Sequence, residues 1–202
     1  QVVVWEADDA ELKQMLREGV NIHKENAKLI GFDYDKSKKF VHLTNYGGGS
    51  KTCAIACSLT IHEAEEAQKR WFQSHPGILD WHSRIEMNLK TQKMIKNAFG
   101  FRRFYFGRTK ITEALAWIPQ STVWIVLNKG IMQVEKAALP IETLIQVHDE
   151  AVFQVPSALM PQIVWQIKSL LEIPIPYPDP LIIPYDVKQG PNWGDLTKLQ
   201  RD

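Results

Sequence analysis

Residues 143 to 155 read Thr-Leu-Ile-Gln-Val-His-Asp-Glu-Ala-Val-Phe-Gln-Val. Two short apolar runs, Thr143 to Val147 and Ala151 to Val155, flank His148-Asp149-Glu150. β-Branched and aromatic residues at this density, split by a short polar break, predict an antiparallel hairpin with acids at its turn. Residues 2 to 7, led by Val2-Val3-Val4-Trp5, read as a second buried strand that ends in Asp8-Asp9.

Between these segments the pattern is helical. A helix is predicted from about Ala10 to Ile30, broken near Gly19, and another from Lys36 to Asn45 with Phe40 and Leu43 on one face. The latter stops at Gly47-Gly48-Gly49, which no helix continues through easily. Thr60 with Glu63 forms a capping box for a helix through Trp71. His75-Pro76-Gly77 breaks the chain before a helix from about Ile78 to Asn97. Phe99 to Phe106 alternates aromatic and basic and reads as extended; Thr112 to about Lys136 reads as a long helix that tolerates Pro119. Ser157 caps a helix to about Leu171, and a Pro-rich stretch from Pro174 to Pro184 leads to a final strand and Asn192-Trp193-Gly194. Helices mixed with antiparallel strands predict an α+β fold.

The chain of 202 residues is 45% hydrophobic and 23% charged, which is globular composition and argues against disorder. No run approaches the ~20 apolar residues of a membrane span, and no signal peptide is visible, so a soluble, cytoplasmic protein is expected. Cys53 and Cys57 supply half of a tetrahedral zinc site with nothing nearby to complete it, and read as free buried thiols. Net charge is only +1, but Lys36, Lys38, Lys39 and Lys51 surround one motif and Arg102, Arg103, Arg108 and Lys110 another. Such clusters serve phosphates or are simply solvated faces. Likewise, acids at the ends of neighbouring strands can hold two hard cations ~3.5–4 Å apart for phosphoryl transfer, or merely form turns.

The motifs that decide between these readings carry a family resemblance. Residues 38 to 47, KKFVHLTNYG, resemble the fingers-helix motif of family A DNA polymerases, the bacterial polymerase I group, in a phage-type form. Lys38, His42 and Tyr46 are spaced by four and share a helix face. The resemblance implies that Lys38 contacts the phosphates of the incoming nucleotide and that His42 stacks near its base or sugar. It places Tyr46 at the nascent base pair and lets Gly47 admit the template. VHDEAVFQVP at 147 to 156 resembles the second acidic motif, implying Asp149 as metal ligand, Glu150 as accessory acid and His148 as primer-end contact. Asn21-Ile22-His23 resembles a segment that brings His23 to the triphosphate, and HPGILDW at 75 to 81 a Tyr-Pro-Gly segment. FGFRRFYFGR at 99 to 108 resembles a DNA-contact strand using Arg102 and Arg103; IPQST at 118 to 122 carries Gln120 at a primer-template contact. Asn192-Trp193-Gly194 is similar to the usual C-terminal ending, with Trp193 read as a core anchor. Single-subunit phage RNA polymerases share part of this set, but their hairpin reads His-Asp-Ser where this one reads His-Asp-Glu.

The first acidic motif departs from the family pattern. WEAD at 5 to 8 passes straight into a sequence resembling a later part of the family, as though roughly a dozen residues, about three helical turns, were missing. The catalytic Asp is therefore placed at Asp8; an ungapped alternative makes Glu6 the metal ligand and Glu11 the residue that screens the sugar. Tyr34 stands where an Arg for the triphosphate is usual.

The resemblance thus implies fingers and part of a palm, without thumb or exonuclease. Residues 1–30 would hold the first palm strand and start of the fingers, 31–98 the fingers helices, and 99–202 the palm sheet. It implies a DNA-directed DNA polymerase using two Mg2+ ions on Asp8 and Asp149, with primer-template DNA and deoxynucleoside triphosphates as partners. Missing polymerase segments and a processivity factor are further partners, and a membrane is not expected. The rival reading is a non-catalytic DNA-binding fragment of a split or decayed polymerase.

Overall fold

The computed structural model describes residues 1–107 and 110–199. Arg108, one of the clustered cations, lies outside the described residues. The elements in order are α1 (Val2–Glu6), α2 (Ala10–Arg17), α3 (Ile22–Ile30), α4 (Tyr34–Asn45), α5 (Ser50–Cys57), α6 (Ile61–Ser74) and α7 (Pro76–Thr91). Then follow β1 (Met94–Lys96), β2 (Arg102–Phe104), α8 (Ile111–Lys136), β3 (Glu142–Val147), β4 (Glu150–Gln154), α9 (Met160–Leu171), β5 (Lys188–Asn192) and β6 (Asp195–Lys198). The fold is α+β, as the pattern predicts, and its described strands pair as three separate antiparallel hairpins rather than one sheet.

The chain divides into two compact units, Gln1–Gln120 and Ser121–Asp202, the division falling within α8. In the first unit Ile30, Phe40, Trp71, Ile78, Trp81, Ile95, Leu115 and Ile118 are buried almost completely. In the second, Leu127 and Val134 of α8 pack on Ile163, Ile167 and Leu171 of α9, with Ala151, Phe153 and Val155 of the β3–β4 hairpin against them. Gly130 makes the helix pairing close, since a Cβ there would stand 2.8 Å from Leu171 Cα.

Most helix starts follow local chemistry. Asp9 accepts from Leu12 N–H at 2.9 Å, Asn21 from His23 and Lys24 N–H, and Asp33 from Lys36 N–H. Thr60 and Glu63 form the reciprocal box, and Pro76 opens α7, where its missing N–H is no loss.

Four expectations are corrected. Residues 2–6 are a helix, not a strand. A strand needs a neighbour for its backbone groups, and among the described residues none pairs with this segment. The segment closes its own bonds instead, with Ala7 N–H to Val3 O at 2.8 Å, and buries Val2, Val4 and Trp5. The helix after Gly77 ends at Thr91, because Lys93 turns at φ 53° and Ile95 is buried in β1, opposite Arg103. Ser157 does not cap α9: Leu159 holds that place without a side-chain bond. Trp193, at the tip of the β5–β6 hairpin, is 50% exposed rather than a core anchor, since both strands of that hairpin lie in solvent.

Candidate functional site

Helix α4 organises the first group of candidate residues. Its buried face carries Ser37, Phe40, Val41 and Thr44, which leaves Lys38 and His42 outward. His42 and Tyr46 meet edge to face with ring centroids 4.4 Å apart. His23, at the start of α3, packs edge to face on Tyr34 at 6.0 Å. Burial and then the Lys38 ammonium hold both His23 and His42 below the usual histidine range, and His42 adds to this for His23. The structure therefore brings His23, Lys38, His42 and Tyr46 together as a cationic, partly buried group in which the imidazoles are neutral at pH 7. Burial also pushes the Tyr46 phenol up. The His23 Nδ1 atom is buried with no hydrogen-bond partner.

The end of α4 is fixed by residues that the sequence reading missed. Asn45 accepts from Trp71 Nε1 through its side chain and binds His82 Nε2 through its carbonyl, both at 2.9 Å. Gln68 donates to Gly48 O at 2.7 Å and to Thr44 Oγ1 at 3.2 Å. Gly47 adopts φ 78°, and a Cβ there would stand 2.9 Å from Leu115 Cδ1. The turn after Tyr46 is thus held from α6, α7 and α8. The hydrogen-bond partners lie 20 to 37 residues away and no local spacing announces them. The Cys53 and Cys57 thiols are free, buried and raised by that burial, Cys53 beside the same turn.

Asp8 sits elsewhere on the first unit, in the link between α1 and α2 at φ 53°. Its side chain is 85% exposed and accepts from Lys13 Nζ at 2.5 Å, a pairing that holds its carboxyl below the usual range. Glu6 ends α1, its carbonyl accepting from Arg84, and Glu11 opens α2. The strand end that would have presented Asp8 is absent.

In the second unit the acidic hairpin is present. Val147 pairs directly with Glu150, so the turn is His148-Asp149, with His148 at φ 54°. Glu150 is the first residue of β4 rather than part of the turn. His148, Asp149 and Glu150 are exposed, and among the described residues neither acid has an ion-pair partner. Behind them, Tyr185 is raised to about 12 by burial, by Asp149 and by Glu172. Lys168 bonds both Glu172 and the Tyr185 carbonyl, which ties this segment to α9. Tyr185 has no motif of its own to mark it as a neighbour of Asp149.

Among the described residues no group of three or more His, Cys, Asp or Glu side chains forms a metal cage. Asp149 and Glu150 are exposed carboxylates next to each other in sequence, and carboxylate oxygen is the donor type that hard divalent cations take. Magnesium keeps several waters and takes one or two carboxylates plus substrate phosphates, rather than a cage made wholly of protein.

Arg102 and Arg103 stand exposed on β2, where the Arg103 guanidinium lies 5.0 Å over the Tyr105 ring. Gln120 is exposed on α8. No helix among the described residues is long and apolar enough to cross a membrane.

The family model described as DNA polymerase family A matches residues 4–195. A DNA polymerase of Mycobacterium phage D29 is 24% identical over 93% of this chain and 32% of its own length. DNA polymerase I of Helicobacter pylori is 25% identical over 94% of this chain and 23% of its own. The chain therefore spans about a quarter to a third of the curated relatives it matches. Among solved structures, the polymerase domain of Pol1 from M. smegmatis, in complex with a DNA primer-template and dNTP, superposes with a TM-score of 0.77. That match has 18% identity and covers 89% of this chain and 36% of that one.

Proposed function

This chain belongs to DNA polymerase family A, and on that footing we propose that it is part of a template-directed DNA polymerase acting in phage DNA replication. Its reaction is extension of a primer 3′ end by in-line attack on the α-phosphate of a deoxynucleoside triphosphate, with pyrophosphate leaving. The observation that carries this reading is the gathering of His23, Lys38, His42 and Tyr46 along α4. Lys38 binds the triphosphate as a point charge. The neutral imidazoles of His23 and His42 offer hydrogen bonds beside it without adding charge. Tyr46, half-buried and edge-on to His42, bears on the shape of the new base pair, and Gly47, packed on Leu115, is assigned to the close approach of the template.

Asp149 is the proposed metal-binding carboxylate of the second unit, with Glu150 as its accessory acid. When bound, two magnesium ions would supply Lewis-acid charge to the attacking hydroxyl and the leaving phosphates. Asp8 is the other proposed ligand, but it loses the support a strand end would have given, and a cation there would have to displace Lys13. His148, Arg102, Arg103 and Gln120 are assigned to the primer-template. The division into fingers at 31–98, with palm on either side, belongs to the same proposal. So does a place of work in the host cytoplasm, beside the remaining polymerase segments and a processivity factor.

Primer extension with magnesium tests the reading, on the chain alone and with the remaining portion of a relative added. D149A should abolish extension while sparing DNA binding; an active D149A enzyme removes the assignment. D8A decides the other half, since unchanged extension takes Asp8 out of the site. One observation favours a second reading, a DNA-binding fragment without catalysis: the Asp8 carboxylate is engaged by Lys13 in a link between helices. DNA binding with no extension under either condition would establish it.

A further inference from the structure

The β1–β2 hairpin carries a surface that the nucleotide and metal assignments do not use. Along β2 and the two residues beyond it, Arg102, Phe104 and Phe106 alternate onto one face. The opposite face carries Tyr105, which is 7% exposed and packed inward. On the outward face Phe104 is 54% and Phe106 89% exposed. Their rings are parallel to within 8°, with centroids 6.2 Å apart. Lys96 of β1 stands directly opposite Arg102.

Two features of this face need a ligand to make sense of them. Like charges opposed across a strand pair repel each other, yet residues 92 to 107 hold four cations and no carboxylate. Two aromatic rings lie open to solvent beside those charges, with parallel faces to offer. A covering protein segment would bury the rings but would have to bring its own acids to meet the opposed cations. Single-stranded nucleic acid needs both, because its phosphates meet cations while its bases stack on aromatic faces.

We propose that this hairpin face is a stacking platform for unpaired DNA bases, Phe104 and Phe106 taking the bases while Lys96 and Arg102 take the phosphates. The identification of the ligand as DNA rests on the polymerase reading. The unpaired strand is the template ahead of the duplex, since a base already paired and stacked has no free face to offer.

Fluorescence anisotropy of the 202-residue chain with a labelled single-stranded oligodeoxynucleotide, and with an abasic strand of equal length and charge, tests this. The wild type should bind the base-containing strand roughly tenfold more tightly than the abasic strand, on the scale of base–aromatic stacking. F104A and F106A should each reduce that preference, the double variant should abolish it, and Phe104→Trp should preserve it. R102A should weaken both strands alike and lower the slope of log K against log salt by about one. Both phenylalanines are exposed, so circular dichroism of the variants should match the wild type. The proposal is overturned if wild type does not distinguish the strands, or if the double alanine variant keeps the distinction. It is overturned equally if those alanines abolish self-association of the chain and leave DNA binding untouched. Base-dependent binding in a chain that never extends a primer would sink the polymerase reading and leave this one standing; the reverse result would do the opposite.

Discussion

Asp9 and His75, sixty-six residues apart in sequence, meet at 2.9 Å inside the first unit, with Asp9 Oδ2 on His75 Nδ1. Both side chains are nearly inaccessible, and Trp71 lies against the imidazole with centroids 4.4 Å apart. Asp9 also caps α2, so one carboxylate fixes the start of that helix and ties it to the start of α7. Burial works against the Asp9 charge, but the bonds from His75 and from the Leu12 N–H outweigh it and leave the pKa lowered.

His75→Ala should therefore cost about 3 kcal/mol, the range found when one member of a buried pair is removed, as read by urea denaturation. The pH dependence has a defined sign. A carboxylate whose folded pKa lies below its unfolded one contributes in full above about pH 4 and loses that contribution as pH falls further, through the folded value. Wild type should lose stability in that acid window, and Asp9→Asn should lack that part of the loss.

Gly77→Ala should destabilise by more than about 2 kcal/mol, because the added Cβ would lie 2.4 Å from the Ala7 carbonyl oxygen, and backbone cannot move aside as a side chain can. Gly47→Ala should cost less, about 1–2 kcal/mol. Its strain comes from φ 78°, and the atom it would meet is the tip of the flexible Leu115 side chain. A smaller loss for Gly77→Ala than for Gly47→Ala in thermal melts would contradict this ranking.

Lys38→Met should raise the titration midpoints of His23 and His42 in histidine-ring NMR, since Lys38 is one cause of their depression. Groups with folded pKa below the unfolded value of about 6.5 support the fold above that pH and withdraw support as pH falls through both values. Their protonation also adds positive charge beside Lys38, so triphosphate affinity should rise as pH falls through their lowered pKa values. A pH-independent affinity in wild type would place the triphosphate away from these imidazoles.

Thr60→Ala should cost about 1 kcal/mol through loss of the cap on α6. Glu63→Gln should cost less, because an amide still reaches the Thr60 N–H that Glu63 now accepts at 2.7 Å. Equal losses in chemical denaturation would show that the charge, not the geometry, carries the box.

Short-range chemistry is legible in the chain before it folds. Thr60 three residues before Glu63, Pro76 at a helix start and glycines after Tyr46 each act within one turn, and they set α6, α7 and the end of α4. The alternating runs around His148-Asp149 set the β3–β4 hairpin, because strands a few residues apart find each other without help. The conformation of Val2–Glu6 depends instead on what the folded chain packs against it. Valines and tryptophan favour a strand when a neighbouring strand offers a ladder, and here what lies against them is α7, at the close approach that Gly77 permits. The Asp9–His75 pair and the Gln68 and Asn45 clamps were likewise invisible in the chain. A hydrogen bond between residues dozens of positions apart exists only once the intervening helices have packed, and no local pattern encodes that distance.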